Sequence, residues 1–142
     1  MLRTDEEDDV GQAIDRQYWI DKGFPATVAL ADEMLGIVNE VTGRGLSLKY
    51  NKSYIGMAKD GIPENYVVFR TSRRRVLAEF QVKRTEEVSA LVQGAGIQDY
   101  YYYAHNGQLV IPLDNQAAVA KHRALISNLI RRASGTPAPT ED

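Results

Sequence analysis

Apolar residues recur at helical spacing in the first third of the chain. The segment 12–22 ends at Gly23, and glycine commonly follows the last turn of a helix. From Pro25, which suits a first helical turn, apolar residues return at steps of three and four up to Val41. The sequence therefore predicts two helices, a short one and one of about four turns that ends at Gly43.

The middle of the chain changes to a period of two, which is typical of strands with one buried face. Apolar and polar residues alternate over 46–50, 54–59, 66–70 and 76–82. The segment 60–65 contains Asp-Gly and Pro-Glu-Asn, which favour the turn of a β-hairpin. We expect three antiparallel strands in this region: a hairpin formed by 54–59 and 66–70, and a third strand over 76–82. The residues predicted to face the helices are Ile55, Met57, Val67, Phe69, Ala78 and Phe80.

The second half of the chain repeats both patterns. Thr85, followed by two glutamates, can cap a short helix that ends at Gly94. Two strand-like runs, 99–103 and 109–111, flank an Asn-Gly turn, and Asp114 is placed to cap a final helix. The order αα-βββ-α-ββ-α predicts the α+β class: an antiparallel sheet of about five strands with helices packed on one face.

Charge divides the chain of 142 residues into a domain and two tails. Residues 1–10 carry a net charge of −4 and residues 135–142 a net charge of −2, whereas residues 11–134 carry +4. A block of like charges cannot bury itself, and the C-terminal segment has two prolines and no large apolar side chain. We therefore expect a disordered acidic tail over 1–10, one α+β domain over 11–134 and a second disordered tail over 135–142.

Several kinds of chemistry are absent from the sequence. Cys is missing, which excludes disulfides, thiol catalysis and thiolate metal sites. His105 lies in a predicted turn and His122 on the last helix, with no recognised metal spacing, so we expect no metal ion and no cofactor. There is no run of about 18 apolar residues and no apolar leader, so we expect no membrane contact and a cytoplasmic location.

A short motif and the order of the elements resemble a known family. The motif is the run Tyr50–Gly56, followed by Phe69-Arg70, an Arg-rich turn and a strand over 76–82, and Tyr18-Trp19 in the first helix fits the same pattern. Over residues 14–133 the chain resembles small bacterial domains of unknown function, of the kind catalogued as family 5655. Thr71 stands where the related pattern usually has proline. The resemblance implies a fold and little chemistry.

One strand carries a pattern that some metal-dependent nucleases use. Glu79, Gln81 and Lys83 share one face of the predicted strand, and Asp60 lies upstream. In such enzymes a carboxylate and an amide hold Mg²⁺ while the lysine orients the attacking water. A half-buried strand with polar residues on its solvent side gives the same string, and Asp60 is expected to lie too far from Gln81 to share an ion. We therefore predict a protein that is not an enzyme.

Basic and aromatic residues are predicted on the sheet face that points away from the helices. Arginine suits phosphate groups and tyrosine can stack on bases, so this surface favours a non-catalytic accessory module that binds nucleic acid. The same residue types are enriched at protein interfaces, so a protein partner is an equal alternative. A third alternative is that these basic and aromatic residues pack against each other across the strands and bind no ligand. The predicted binding residues are Lys52, Tyr54, Tyr66, Arg70, Arg73, Arg74 and Arg75.

Overall fold

A computed structural model of the chain describes residues 13–73 and 75–137. In these ranges the helices are α1 (Arg16–Asp21), α2 (Pro25–Thr42), α3 (Glu86–Gly94), α4 (Gln116–Lys121) and α5 (Arg123–Ser134). The strands are β1 (Ser47–Tyr50), β2 (Ile55–Lys59), β3 (Ile62–Pro63), β4 (Val67–Ser72), β5 (Arg75–Lys83), β6 (Tyr101–Tyr102) and β7 (Gln108–Pro112). The predicted acidic tail over 1–10 and residues 138–142 of the second predicted tail lie outside the described residues.

Local signals in the sequence set the ends of the helices. The Asp15 side chain caps α1 by accepting a hydrogen bond from the backbone N–H of Tyr18 at 2.9 Å. Thr85 caps α3 in the same way, as predicted. The long helix α2 has Pro25 in its first turn and ends at Gly43, whose φ of 67° lies in the left-handed region. Both of the predicted ends of α2 are therefore confirmed.

The strands form one antiparallel sheet in the order β1-β2-β4-β5-β7-β6, and β3 pairs with β2. The turn between β2 and β3 is Asp60-Gly61, with φ values of 52° and 81°. Positive φ at both positions is what a two-residue type I′ hairpin needs. The longest strand, β5, pairs with β4 on one side and β7 on the other, so it lies in the middle of the sheet.

One hydrophobic core lies between the sheet and the helices. All five helices of the described residues contribute buried side chains to the same cluster, and the most extensive contacts among these helices join α2 to α5. The residues predicted to face the helices all have 0% exposure: Ile55, Met57, Val67, Phe69, Ala78 and Phe80. The α+β class is confirmed. Within the described part of the chain, no helix combines the length and apolar character that crossing a bilayer requires.

The predicted number of strands, about five, is wrong, because residues 13–73 and 75–137 form seven. The alternation over 46–50 marks β1, which pairs with β2 through four residue pairs and adds a strand at one edge. The other missed strand is β3. We predicted 60–65 to be one turn, but the tight turn needs only Asp60 and Gly61, and this leaves Ile62 and Pro63 extended beside β2.

The final helix, predicted as one element, is two. Its break lies at His122, which ends α4 and begins α5 with φ −107° and ψ 23°, outside the helical range. The residue that caps α4 is Asn115, whose side chain accepts from the backbone N–H of Ala118 at 2.9 Å. The prediction that Asp114 is the cap is therefore wrong. Its carboxylate pairs instead with Arg75 across the sheet, at 2.9 Å.

Two glycines, one inside α2 and one at its C-terminal cap, should respond in opposite ways to alanine. Gly36 is exposed inside the helix, and an added Cβ would meet nothing within 4 Å. Gly36→Ala is expected to stabilise the fold by about 0.5–1 kcal/mol, because it reduces the backbone entropy lost on folding. Gly43→Ala should destabilise it by about 1 kcal/mol, because alanine is strained at positive φ. Urea denaturation measures both, and an unchanged or raised midpoint for Gly43→Ala would contradict the left-handed helix end.

Candidate interaction surface

The sheet face opposite the helices, the outer face, carries an apolar patch in its middle. Across β4, β5, β7 and β6, the paired neighbours are Val68, Glu79, Val110 and Tyr101. Leu77 and Pro112 are paired in an adjacent row of the same face. These residues are not part of the core cluster to which the helices contribute, although Val68 and Val110 are only 8% and 3% exposed. The apolar patch consists of Val68, Leu77, Val110, Pro112 and Tyr101.

Arg70 is held between an aromatic ring and a carboxylate at the border of the patch. Its guanidinium carbon lies 5.2 Å from the centroid of the Tyr54 ring, a cation–π contact. Its Nε donates to Glu79 Oε1 at 3.1 Å. The side chain of Glu79 is 5% exposed, whereas that of Arg70 is 38% exposed. Two of the predicted binding residues are therefore together, but the ring and the guanidinium contact each other, and a carboxylate balances the charge.

The second carboxylate oxygen of Glu79 also accepts a hydrogen bond. Asn106, in the turn before β7, donates from Nδ2 to Glu79 Oε2 at 3.0 Å. The ammonium group of Lys83 donates to the backbone oxygen of Asn106, and Asn106 Oδ1 accepts from the backbone N–H of Gln108 at 2.9 Å. A buried carboxylate with both oxygens bonded is stable without any ligand. These hydrogen bonds of Glu79, Asn106 and Lys83 connect β5 to the β6–β7 turn, which gives the three residues a structural role.

The nuclease-like residues do not form a metal centre. Asp60 lies in the β2–β3 turn, and β4 separates β2 from β5, which carries Glu79. Gln81 is exposed, and Glu79 is occupied by Arg70 and Asn106 as described above. Among residues 13–73 and 75–137 there is no group of three or more His, Asp or Glu side chains placed to hold a metal ion. The expectation that the protein is not an enzyme stays a prediction.

The Tyr66 hydroxyl is bonded to an ion pair that does not include Arg70. Its hydroxyl donates to Glu64 Oε1 at 2.9 Å, and the same carboxylate accepts a two-nitrogen contact from Arg44 in the loop after α2. Hydrogen bonds from Arg44 and then Tyr66 lower the pKa of Glu64, and burial together with Glu64 raises the pKa of Tyr66. Tyr66 therefore anchors the α2–β1 loop and does not extend the pair formed by Tyr54 and Arg70.

Arg73 and Arg75, at the turn between β4 and β5, differ in their surroundings. Arg73 is exposed in the turn, with a φ of 51°, and Arg74 lies outside the described residues. Arg75 contacts Asp114 at 2.9 Å and Asp99 at 2.8 Å. These two carboxylates, Asp114 first, raise the pKa of Arg75 above its ordinary value. Arg75 is thus neutralised by two acids, and its role here is to tie β5 to the segments next to β6 and β7.

Lys52 lies in the loop that connects β1 to β2, beside α1. The loop is closed by a hydrogen bond from the Asn51 backbone N–H to the Tyr54 backbone oxygen at 2.9 Å. The Trp19 indole N–H donates to the backbone oxygen of Asn51 at 2.9 Å, which fixes the loop against α1. The structure therefore places Lys52 and Tyr54 on one anchored loop. This β1–β2 loop connects the outer face of the sheet to α1.

Sequence reasoning missed the residues that neutralise the predicted cations. The alternation marked Glu79 as outward-facing, but it did not show that Arg70 lies close enough to pair with it. Asp99 and Asp114 are 24 and 39 residues from Arg75 in the chain, so no local pattern connects them. Asn106 was noted only as a turn residue. The strand order, which sets these contacts, is the information that was missing.

None of the protein-family models, curated proteins or solved structures compared with the chain matches it. The resemblance to the family 5655 domains therefore stays a prediction. The functional argument rests on the surface itself.

Proposed function

We propose that the protein is a non-catalytic interaction module whose outer face binds a protein partner. The observation that carries the proposal is the apolar patch on the sheet face opposite the hydrophobic core. Tyr101 is 43% exposed at one end of the patch, and Leu77 and Pro112 are half-buried in it. Apolar side chains on one sheet face, bordered by charged groups, are typical of a protein interface.

The charges around the patch indicate the chemistry of the partner. Lys49 and Lys83 are exposed on the outer face, and Arg70 adds a third positive charge at its border. Glu79 supplies one negative charge, so these four residues carry a net charge of +2. Complementary charge steers association and selects partners. We therefore expect a partner that presents apolar side chains within an acidic surface.

Nucleic-acid binding, the other expectation from the sequence, has less support at this surface. Arg70 and Arg75 are paired with carboxylates, and the Tyr66 hydroxyl is bonded to Glu64. Binding to a phosphate backbone depends on cations that neutralise phosphates, and an arginine already paired with an acid contributes little to it. Apolar residues in the centre of the face also match no phosphate.

Substitutions in the apolar patch should abolish capture of the partner. The double variant Leu77→Gln/Tyr101→Ala removes apolar contact area from the patch, where loss of a hot-spot side chain costs about 2 kcal/mol or more, so enrichment should fall at least tenfold. The measurement is quantitative mass spectrometry after affinity capture from a native extract. Ile62→Gln is the matched control, because Ile62 is 66% exposed in β3 and outside the patch, and it should capture the partner like the wild type.

A parallel titration with single- and double-stranded oligonucleotides tests the alternative that the outer face binds nucleic acid. Fluorescence anisotropy at about 50 mM salt is sensitive to phosphate contacts, and we expect no binding at high micromolar protein. Oligonucleotide binding that disappears in Arg70→Ala would overturn the protein-partner proposal. Equal enrichment of the same proteins by the wild type and by Leu77→Gln/Tyr101→Ala would overturn it as well.

A further inference from the structure

The edge of the sheet at β1 is open to pairing with a further strand. β1 pairs with β2 on one side, and within residues 13–73 and 75–137 no strand pairs with it on the other. The opposite edge of the sheet is β6, which is only two residues long. The β1 edge is separate from the apolar patch, because β2 lies between β1 and β4, the nearest strand of the patch. Binding at β1 is therefore independent of the partner proposed above.

The register of β1 shows which of its backbone groups point away from the sheet. In an antiparallel pair, every second residue directs its N–H and C=O toward the neighbouring strand, and the residues between them direct theirs outward. The Asn51 backbone N–H donates to the Tyr54 backbone oxygen at 2.9 Å, so the same inward position recurs two residues earlier, at Lys49. Leu48 and Tyr50 therefore direct their N–H and C=O groups to the open edge.

Other parts of the fold close both ends of this open stretch. At Leu46, the preceding outward position, Asn39 Oδ1 accepts from the backbone N–H at 2.7 Å and Asn39 Nδ2 donates to the backbone oxygen at 3.0 Å. At the other end, the Trp19 indole N–H donates to the Asn51 backbone oxygen. The four outward groups between these ends have no such partner among the described residues. Exposed N–H and C=O groups at a sheet edge can pair with an added strand.

The side chains of β1 alternate in chemistry along this edge. Leu48 and Tyr50 pack against the core, whereas Lys49 is exposed on the outer face. The cross-strand neighbour of Lys49 is Gly56, and no ion pair within the described residues includes Lys49. An added strand would follow the same alternation, with two side chains beside Leu48 and Tyr50 and the one between them beside Lys49.

We propose that the β1 edge binds an extended segment of a partner protein in which one acidic residue lies between two apolar residues. The outward backbone groups hold the segment as an added strand, and the acidic side chain lies beside Lys49. A second copy of this chain fits the edge less well. If Leu48 of each copy paired with Tyr50 of the other, the two Lys49 side chains would lie directly opposite each other, and like charges in that position are destabilising.

Synthetic peptides test the proposal on the full chain. The fluorescein-labelled peptide Ser-Thr-Val-X-Val-Thr-Ser, with X as Glu, Gln or Lys, is titrated with the protein and followed by fluorescence anisotropy. We expect the Glu peptide to bind with a Kd below about 1 mM and the Lys peptide to bind at least about threefold more weakly. N-methylation of the two valines removes N–H groups that pair with β1, so it should abolish binding. Absence of binding by the Glu peptide, or equal binding by its N-methylated form, would overturn the proposal.

Amide hydrogen exchange followed by NMR locates the bound peptide. At saturating Glu peptide, exchange at the Leu48 and Tyr50 amides should slow at least about tenfold, because both become hydrogen-bonded. The Lys49 amide already points to β2 and should change little. Unchanged exchange at Leu48 and Tyr50 would place the peptide elsewhere and contradict the proposal. Protection of these two amides without peptide would mean that a second copy or another segment of the chain occupies the edge, which contradicts it as well.

Charge-reversal variants connect the selectivity to Lys49. Lys49→Glu changes an exposed side chain, so it should fold, and it should reverse the preference between the Glu and Lys peptides. Lys121→Glu is the control, because it reverses the same charge on α4 and should keep the wild-type preference. Leu77→Gln/Tyr101→Ala should bind the peptide like the wild type, which separates this edge from the apolar patch. A wild-type preference in Lys49→Glu would overturn the assigned partner chemistry.

Discussion

Phe80→Ala should destabilise the fold by about 4 kcal/mol, the typical cost of removing a buried phenyl ring. Phe80 lies on the central strand β5, has no exposed surface and contacts the core between sheet and helices. The substitution removes the transfer free energy of the ring and leaves a cavity that the sheet cannot close without shifting β4 or β7. Domains of this size are stable by about 5–15 kcal/mol, so this loss is a large part of the total.

Urea denaturation followed by circular dichroism and Trp19 fluorescence measures the effect. Phe80→Leu keeps most of the apolar volume and should lose clearly less than Phe80→Ala. Tyr101→Ala is the control on the other face of the sheet. Because Tyr101 is 43% exposed, its loss should cost less than about 1 kcal/mol. Equal destabilisation by Phe80→Ala and Tyr101→Ala would contradict a sheet with one buried and one open face.

The inward face of the sheet could be predicted from the sequence because burial follows a local period. Side chains two residues apart on a strand share a face, so Val67 with Phe69 and Ala78 with Phe80 reveal their orientation without any knowledge of the strand order. The helix ends at Gly43 and Thr85 are local in the same way. The break at His122 was missed because apolar spacing continues across it, and only its backbone angles show it.

The candidate surface could be predicted only in part, because charge balance depends on pairs that are distant in sequence. Alternation predicts that Tyr54 and Arg70 both point outward, and the structure adds that the two side chains contact each other. Alternation could not show that Arg75 meets Asp99 and Asp114, since those contacts need β5, β6 and β7 to lie side by side. Arg75 therefore contributes less positive charge to the surface than the sequence predicts.

The pair formed by Arg70 and Glu79 should be strongly coupled in stability. Glu79→Ala removes charge-assisted hydrogen bonds from Arg70 and Asn106 and is expected to cost about 2 kcal/mol. Arg70→Ala leaves Glu79 buried with one partner fewer, and it should cost about 1–2 kcal/mol, since Arg70 is partly exposed and water screens the pair. In the double variant the loss should be smaller than the sum by about 1 kcal/mol.

A double-mutant cycle in urea measures this coupling, with Glu40→Gln as the control for loss of a surface acid. Glu40 pairs with Arg123, but the two side chains are 65% and 49% exposed, so Glu40→Gln should stay within about 0.5 kcal/mol of the wild type. Strict additivity of the Arg70 and Glu79 losses would contradict the ion pair. A further variant, Glu79→Gln, bears on the function, because it removes the charge that balances Arg70. If Arg70 served to bind phosphates, Glu79→Gln should raise the affinity for oligonucleotides. On the protein-partner proposal it should create no such binding, because the apolar patch is unchanged.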